Sequence, residues 1–306
     1  MNTGINATMS AREWAALVFL SVLWGSSFLF VELAITGFPT LTIVAIRLTG
    51  AAIILWGIAI ALGHPPPCNW SIWKVFFIMG LLNNAIPFTL IVWGQTHITS
   101  GLASLLIATA PLFSVLVAGV FLADERATPL KLIGSLTGFA GVAVMFGGPT
   151  DSTTDIFAML AVLGAALCYA FAGAYGRRFR TLGIRPIVAA AGQITASAFI
   201  LIPAVVVIDT PIDFGAASFS AWAAVTSLAV MSTALAYVLY FRLLETAGAT
   251  NILLVTLLVP VSAIFLGVLF LNETLAPAQI AGMVLIGLGL SAIDGRIWKR
   301  LRALIN

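Results

Sequence analysis

The sequence predicts an all-α integral membrane protein with ten transmembrane helices, arranged as two inverted five-helix repeats (5+5) with both termini in the cytoplasm. Three observations lead to this prediction: an apolar composition, ten apolar segments of spanning length, and a one-sided distribution of Lys and Arg. Of the 306 residues, 61% are hydrophobic and 8% are charged, whereas a soluble domain carries about 25% charged residues. The solvent for most of the exterior must therefore be lipid.

Apolar runs long enough to cross a bilayer recur along the whole chain. A helix crosses the hydrocarbon core with about 20 residues, and the loops between the runs leave no room for a soluble domain. Lipid excludes open sheets, and the runs are too uniformly apolar for barrel strands. The predicted spans are 14–35, 41–62, 72–93, 100–122, 130–148, 155–176, 185–208, 217–241, 248–271 and 276–294.

The basic residues follow the positive-inside rule if the N-terminus is cytoplasmic. Alternation of ten helices then places thirteen of the 14 basic residues on the cytoplasmic side. They are Arg12, Lys74, Arg126, Lys131, Arg177, Arg178, Arg180, Arg185, Arg242, Arg296, Lys299, Arg300 and Arg302. The outer loops carry Asp151, Asp155, Asp209, Asp213 and Glu273 instead. Misplacing one helix would scramble this division, so the charges support the helix count as well as the orientation.

The two halves of the chain match at an offset of 148 residues. Residues 114–147 and 262–295 then align without a gap and share eight of 34 positions. The shared pairs are Ser114/Ser262, Gly119/Gly267, Val120/Val268, Glu125/Glu273, Pro129/Pro277, Gly134/Gly282, Gly141/Gly289 and Gly147/Gly295. The Glu–x3–Pro pair marks a helix boundary by itself, and its recurrence indicates a repeat. The sequence predicts repeats over 11–148 and 155–295 and a basic cytoplasmic tail over 296–306.

An odd number of spans in each repeat turns the second half upside down relative to the first. Glu125 then lies on the cytoplasmic side and Glu273 outside. Inverted repeats are a transporter architecture, with the substrate site between the halves near the bilayer midplane. The pattern therefore favours a secondary transporter over a membrane scaffold or receptor.

Short motifs along the chain add a family resemblance. Residues 24–28, Trp-Gly-Ser-Ser-Phe, resemble the opening of the EamA branch of the drug/metabolite transporter superfamily. Motifs in the order of that branch follow at Pro39, Arg47, 101–104, Pro111, 122–125, Gly248, Pro260, Leu271 and Glu273. The resemblance implies a ten-helix transporter, similar in general layout to YddG-type exporters of aromatic and other neutral amino acids. Glu32 departs from the family, whose members often carry Lys at this position.

Two charged residues, Glu32 and Arg47, lie inside the first two spans. An intramembrane charge is a functional candidate by default, because a central Arg costs about 2.5–3.5 kcal/mol on insertion scales. Both positions lie toward the outer side, where the two side chains could pair. The structural alternatives are such an ion pair or a snorkelling Arg. The functional hypothesis is that Arg47 binds a substrate carboxylate or gates the outer cavity.

Polar side chains and prolines recur in corresponding spans of the two halves. A proline-interrupted span in each half points to a transporter site, because proline leaves a carbonyl free for a substrate ammonium. The candidate cavity residues are Trp24, Ser27, Asn83, Asn84, Pro87, Ser104, Thr109, Pro111, Tyr169, Ser232, Thr233, Tyr237, Asn251, Thr256 and Pro260. The alternative is that Ser, Thr and Asn join helices in lipid and that the aromatic rings only pack.

The motifs of several other protein classes are missing. The chain has no GxxxxGK[ST] loop and no HExxH, and His64 and His97 lie in loops without partners at metal-ligand spacing. We therefore predict no catalytic residue, no metal site and no cofactor, and an intramembrane enzyme is a remote alternative. The scattered basic residues argue against nucleic acid as a partner.

A GxxxG motif begins at Gly134. It fits close packing within the chain or a dimer face, so we expect a monomer or a weak homodimer.

These observations predict a multi-pass protein of a bacterial inner membrane whose partners are the lipid bilayer and a small-molecule substrate. We expect export of small metabolites, most favourably neutral or aromatic amino acids, by alternating access through a central cavity between the repeats. A channel-like facilitator and an exporter of other metabolites or drugs are the alternatives. Asp and Glu are absent from the middle of every span, so an acidic proton relay is not expected and energy coupling stays open.

Overall fold

The computed structural model describes residues 9–121, 129–147, 155–252 and 254–294, and every regular element in these ranges is helical. The first helices are α1 (Ala11–Ala34), α2 (Thr40–Ala61), α3 (Trp70–Gly80), α4 (Ile86–Gln95), α5 (Ser100–Ile107), α6 (Ala110–Phe121) and α7 (Pro129–Gly147). The later ones are α8 (Ile156–Thr181), α9 (Pro186–Ile208), α10 (Phe219–Ala229), α11 (Ala236–Ala247), α12 (Ala249–Ile252), α13 (Val255–Leu271) and α14 (Pro277–Asp294). Two π-helical turns, Leu81–Ala85 and Val230–Leu235, join α3 to α4 and α10 to α11.

Seven helical segments are long and apolar enough to cross a membrane, counting through the π-helical turns. They are Ala11–Ala34, Thr40–Ala61, Trp70–Gln95, Ser100–Phe121, Ile156–Thr181, Pro186–Ile208 and Phe219–Ala247. Three shorter apolar helices, Pro129–Met145, Val255–Leu271 and Pro277–Ile293, coincide with the predicted fifth, ninth and tenth spans. The prediction of an all-α membrane protein is therefore confirmed for the described part of the chain.

Several predicted features lie outside the described residues. They are Leu122, Glu125, Arg126, Asp151, Gly295 and the basic tail over 296–306. The predicted fourth span is described up to Phe121, and it divides at Ala108 and Thr109 into α5 and α6. Pro111 explains this division, because it cannot donate to the carbonyl of Ile107 four residues earlier.

The helices pack into two apolar clusters around α1. One cluster joins the N-terminal half of α1 to α5 and α13 through residues such as Leu17, Leu106 and Ala263. The other joins the end of α1 to α2, α9 and α10 through residues such as Ile43 and Ile194. The extensive helix contacts are α1 with α13 and α10, α8 with α4 and α6, α9 with α2 and α3, and α7 with α14.

Glycines bring α7 and α14 into backbone contact. A Cβ on Gly134 would lie 2.6 Å from the carbonyl oxygen of Gly289, and one on Gly141 would lie 2.7 Å from that of Gly282. A Cβ on Gly138 would meet the side chain of Leu112 at 2.4 Å. The predicted GxxxG thus packs within the chain, which is the intrachain alternative rather than a dimer face.

Two ends of the helix bundle differ in chemistry. At the carboxylate end, which carries Glu32, Asp209, Asp213 and Glu273, the turn after α1 meets the start of α10, where the ring centroids of Phe38 and Trp222 lie 4.8 Å apart. The arginine end carries His64, Arg178, Arg180 and Arg185. There Arg185 Nη1 lies 2.9 Å from His64 Nε2. The side chains named at the two ends therefore differ in the sign of their charge.

Two carboxylates at the carboxylate end cap helices that are distant in sequence. Asp209, just after α9, accepts hydrogen bonds from the N–H and the hydroxyl of Thr42, at 2.8 and 2.7 Å. Glu273, between α13 and α14, accepts from the N–H groups of Ser100 and Gly101, at 2.8 and 2.9 Å. Each carboxylate therefore offsets the partial positive charge of a helix N-terminus.

Replacing Asp209 with Ala should lower the free energy of unfolding by about 1–2 kcal/mol, the usual cost of losing a helix cap. The loss arises because the Thr42 N–H and hydroxyl both lose their acceptor. Asp213→Ala is the matched control, since the exposed Asp213 caps only Gly215 and Ala216 in its own loop. Thermal unfolding of the two purified variants in detergent measures the difference, and equal midpoints would contradict the role of Asp209.

Candidate functional site

A cluster of polar side chains lies inside the bundle, surrounded by apolar residues. We call it the polar cluster, and it consists of Arg47 on α2, Asn83 and Asn84 on the first π-helical turn, Gln193 on α9, Thr233 on the second π-helical turn and Tyr237 on α11. Arg47 is 7% exposed, and Asn84 and Thr233 are fully buried. The sequence singled out every member except Gln193.

Arg47 is held by a hydroxyl group and an aromatic ring. Its Nε donates to Thr233 Oγ1 at 2.8 Å, and its guanidinium carbon lies 3.8 Å from the centroid of the Phe88 ring. Tyr169 and Tyr237 lie within electrostatic reach of the guanidinium. No carboxylate pairs with Arg47 among the residues that the structure describes. The cluster therefore holds a desolvated positive charge without a counter-charge.

The ion pair between Glu32 and Arg47 that the sequence allowed is not present. Glu32 lies two residues from the end of α1, whereas Arg47 lies seven residues into α2. At 1.5 Å per residue this places Arg47 about 7 Å deeper than Glu32. Glu32 instead lines a pocket at the carboxylate end with Glu273. The pairing is wrong because the two side chains differ in depth and meet different neighbours.

Amide and phenol groups form a hydrogen-bonded network beside Arg47. Asn83 Nδ2 donates to the Tyr237 hydroxyl at 3.0 Å and lies 3.3 Å from Gln193 Oε1. The Tyr237 hydroxyl donates to Asn84 Oδ1 at 3.2 Å. Asn84 Nδ2 and Ser232 Oγ are buried and have no hydrogen-bond partner within the described part of the chain. Buried polar groups are normally paired, so these two can serve a bound ligand.

The π-helical turns place this network, and each has a local cause. Pro87 lacks an N–H, so the carbonyl of Asn83 four residues earlier loses its helical partner. In the second turn, Thr233 Oγ1 donates to the Leu228 carbonyl at 2.8 Å, five residues back. Single π-helical turns inside helices occur frequently at functional sites, because they widen the helix and redirect side chains.

Other predicted cavity residues donate hydrogen bonds to backbone carbonyls three or four residues earlier in the chain. The hydroxyls of Ser27, Ser104 and Thr109 donate to carbonyls three residues earlier, at 2.6–2.7 Å. Asn251 Nδ2 donates to the Ala247 carbonyl at 2.8 Å. The structure does not bring these four side chains into the polar cluster. Their hydrogen bonds fit the alternative that they stabilise or bend helices.

The remaining candidates lie near the cluster or along α13. Trp24 packs against Tyr240, with centroids 5.6 Å apart. Phe241 links Tyr240 to Tyr237, at 5.3 and 6.0 Å. These rings form an aromatic row that runs from the polar cluster toward the arginine end of the bundle. Thr256 and Pro260 lie on α13, where Pro260 interrupts the series of backbone donors because it has no N–H.

Two residues of the site were missed by reasoning from the sequence. Gln193 is an isolated amide in the apolar run 186–208 and is 3% exposed. The rule that polar residues within spans are candidates would have found it, but attention went to proline-interrupted spans. Phe88 carries no polarity signal, and only the fold places its ring under Arg47.

Comparisons with known proteins agree on the family. The model of the EamA-like transporter family matches residues 12–147 and again 156–293. The chain is 29% identical to the "Probable terminal-alkyne amino-acid exporter" of Streptantibioticus cattleyicolor, over 96% of this chain and 97% of that protein. It is 27% identical to the "Uncharacterized transporter YvbV" of Bacillus subtilis, over 90% and 89% of the two chains. The "Uncharacterized inner membrane transporter YedA" of Escherichia coli K12 is 26% identical over 87% and 85%.

A solved crystal structure shares the fold. Its TM-score is 0.66 with 21% sequence identity, and the match covers 93% of this chain and 98% of the other. The motifs between Trp24 and Glu273, the apolar helices and the two family matches agree with one another. The chain therefore belongs to the EamA-like transporter family and is a multi-pass membrane transporter.

Proposed function

We propose that the protein exports neutral or aromatic amino acids, with the polar cluster as the substrate site between two inverted repeats. The observation that carries this proposal is Arg47, a buried cation whose counter-charge is missing among the described residues. A buried unpaired charge is expensive, and a transporter can retain one because its substrate supplies the opposite charge.

The helix contacts support an inverted 5+5 layout. If spans one to five correspond to spans six to ten, the contact of α1 with α13 has its counterpart in α8 with α6. The contact of α1 with the eighth span, formed by α10 and α11, has its counterpart in α8 with the third span, formed by α3 and α4. Both counterparts are present. Gly134 meets Gly289 while Gly141 meets Gly282, as exchange of two equivalent helices requires. We propose that the two family matches are the repeats predicted over 11–148 and 155–295.

We place the carboxylate end outside the cell and both termini in the cytoplasm. The arginine end then lies on the side favoured by the positive-inside rule. The resemblance to the inner-membrane transporter of Escherichia coli supports a bacterial inner membrane as the location.

Each part of a zwitterionic amino acid has a matching group near Arg47. The guanidinium binds a carboxylate through two parallel hydrogen bonds. Asn84 Oδ1 can accept a hydrogen bond from the ammonium group. The aromatic row of Tyr237, Phe241 and Tyr240 provides a wall for an apolar or aromatic side chain. The relative named as an exporter of a terminal-alkyne amino acid supports this substrate class.

The conformational step is a rocking of the two repeats about the polar cluster. The π-helical turns contribute side chains from both repeats to one network, through Asn83, Asn84 and Thr233. Substrate bound there contacts both repeats, so it favours conformations in which they approach each other. A channel-like facilitator would not need such closure.

Counterflow in liposomes tests the function. Purified protein is reconstituted, the vesicles are loaded with one unlabelled amino acid, and uptake of labelled Phe, Trp, Leu, Lys and Glu is measured. We expect saturable counterflow of Phe, Trp and Leu, and little of Lys or Glu, because a second side-chain charge has no partner in the cluster. Flux without saturation or counterflow would favour a facilitator, and no flux of any amino acid would overturn the substrate class.

A further inference from the structure

A second polar site lies at the carboxylate end, away from the polar cluster. A pocket of about 370 Å³ lies between the end of α1, the turn after α4 and the segment after α13. Its lining includes Glu32, Gln95, His97 and Glu273. The two carboxylates belong to different halves of the chain, so this pocket joins the proposed repeats at their outer end.

The groups of this pocket contain more hydrogen-bond acceptors than donors. Glu32 Oε2 is buried and has no hydrogen-bond partner among the residues that the structure describes. Gln95 is 2% exposed, and its Nε2 donates to the carbonyl of Phe28 at 2.9 Å. That carbonyl fixes the orientation of the amide, because the reversed amide would place two oxygens together. Gln95 Oε1 is therefore a second buried acceptor without a donor in the described ranges.

Glu273 differs from Glu32 in its hydrogen bonds. Its carboxylate accepts from the N–H groups of Ser100 and Gly101 at the start of α5, and donors of this kind match an ionised carboxylate. The charge of Glu273 repels a negative charge on Glu32. A negative Glu32 in this arrangement thus faces a like charge, and its buried Oε2 has no hydrogen-bond donor among the described residues.

We propose that Glu32 binds a proton in this pocket and that the protonated form closes the outer end of the transporter. The proton comes from outside water and forms an O–H bond at Glu32 Oε2. The protonated carboxyl is the donor that Gln95, which lies beside Glu32, lacks, and it removes the repulsion from Glu273. Loss of this proton to outside water restores the repulsion and opens the pocket.

The other charged groups around Glu32 are few. His97 and Glu273 line the pocket. Of the elements that contact α1, the helices α4, α5, α10 and α13 and the second π-helical turn contain no Asp, Glu, Lys, Arg or His. α11 carries Arg242 and Glu245, both in its second half. The tests must therefore separate the contribution of Glu32 from that of His97, which lines the same pocket.

The first test reads the proton directly and needs no substrate. Infrared difference spectra of the reconstituted protein are recorded on changing the pH, and the C=O stretch of a protonated carboxylic acid is followed. We expect the wild type and His97→Asn to show a band that titrates and Glu32→Gln to lack it. Persistence of the band in Glu32→Gln would overturn the proposal.

The second test measures regulation and rests on the proposed function. Efflux of Phe from vesicles held at constant internal pH is followed while the external pH is raised from about 6 to about 8, where histidine also titrates. We expect wild-type efflux to rise at least about fivefold, the lower end of typical coupling between sites. Glu32→Gln should be slow and independent of external pH, while His97→Asn should respond like the wild type.

The two tests separate the possible failures. If Phe is not transported but the Glu32 band titrates, the substrate class fails and proton binding stands. If Phe efflux depends on pH equally in Glu32→Gln and the wild type, the gate fails and transport stands. If Glu32→Gln shows slow efflux and its thermal midpoint has also fallen, loss of folded protein would explain the result as well as closure of the pocket. Glu32→Ala distinguishes these two explanations. That variant should give pH-independent efflux, and a wild-type pH response in it would overturn the proposal.

Discussion

Replacing Arg47 with Gln is expected to abolish counterflow while leaving the folded protein at least as stable as the wild type. The guanidinium is 7% exposed and lacks a carboxylate partner in the described part of the chain. Removing the charge relieves a desolvation penalty of several kcal/mol. It also removes the hydrogen bond to Thr233 and the contact with Phe88, where a desolvated cation–π contact contributes about 2 kcal/mol. The net effect on the free energy of unfolding is therefore small or favourable.

The effect of Arg47→Gln on transport should be large because a substrate carboxylate loses its partner. Truncating one member of a buried charge pair costs about 2–5 kcal/mol, which corresponds to a loss of at least about thirtyfold in substrate affinity. Arg47→Lys should restore only part of the affinity, since an ammonium lacks the bidentate fork of the guanidinium. The exposed Lys74, changed to Gln, is the matched control.

The measurement combines counterflow of Phe with thermal unfolding of each variant. The role of Arg47 is refuted if Arg47→Gln exports at the wild-type rate with normal expression. A variant that is both inactive and strongly destabilised would show that Arg47 is structural.

Replacing Gly289 with Val is expected to lower the free energy of unfolding by about 3 kcal/mol or more, as overpacking of a rigid contact does. A Cβ at this position would lie 2.4 Å from the Gly134 carbonyl oxygen and 2.8 Å from the Gly138 nitrogen. Both obstacles belong to the backbone, so no side-chain rotation relieves the clash. α7 and α14 would have to move apart and lose their contacts along most of their length.

Gly287→Val on the same helix separates this clash from the helix propensity of Val. A Cβ at Gly287 meets nothing within 4 Å, so this variant should unfold within about 0.5 kcal/mol of the wild type, as surface substitutions do. Thermal unfolding in detergent compares the three proteins. Equal midpoints for the two variants would show that α7 and α14 are not in backbone contact.

The sequence predicted the candidate site through one property, polarity inside apolar spans. That property identified Arg47, Asn83, Asn84, Thr233 and Tyr237, because burying such groups without partners is costly and their occurrence requires a reason. It did not separate them from Ser27, Ser104 and Thr109. Short hydroxyl side chains reach a carbonyl of their own helix, so they tolerate burial without any site.

The sequence could not predict which side chains from distant parts of the chain contact one another. The depth of a residue along its helix can be counted from the sequence. The direction of its side chain, and the residue of the other half that it contacts, cannot be obtained in this way. Glu32 therefore seemed a partner for Arg47, whereas it lies beside Glu273, which is 241 positions away. The sequence also indicated the prolines but not the π-helical turns, because the second turn lacks a proline and depends on the Thr233 hydroxyl.

The contact between α7 and α14 is symmetric, because the two helices contribute equivalent glycines to it. The polar cluster is not symmetric in this way. Gly134 and Gly141 face Gly289 and Gly282 as equals, but Arg47 on α2 faces α9, which contains no Lys or Arg. At the proposed site we therefore expect a substrate carboxylate to bind on the side of α2, so that the substrate takes a single orientation between the two halves.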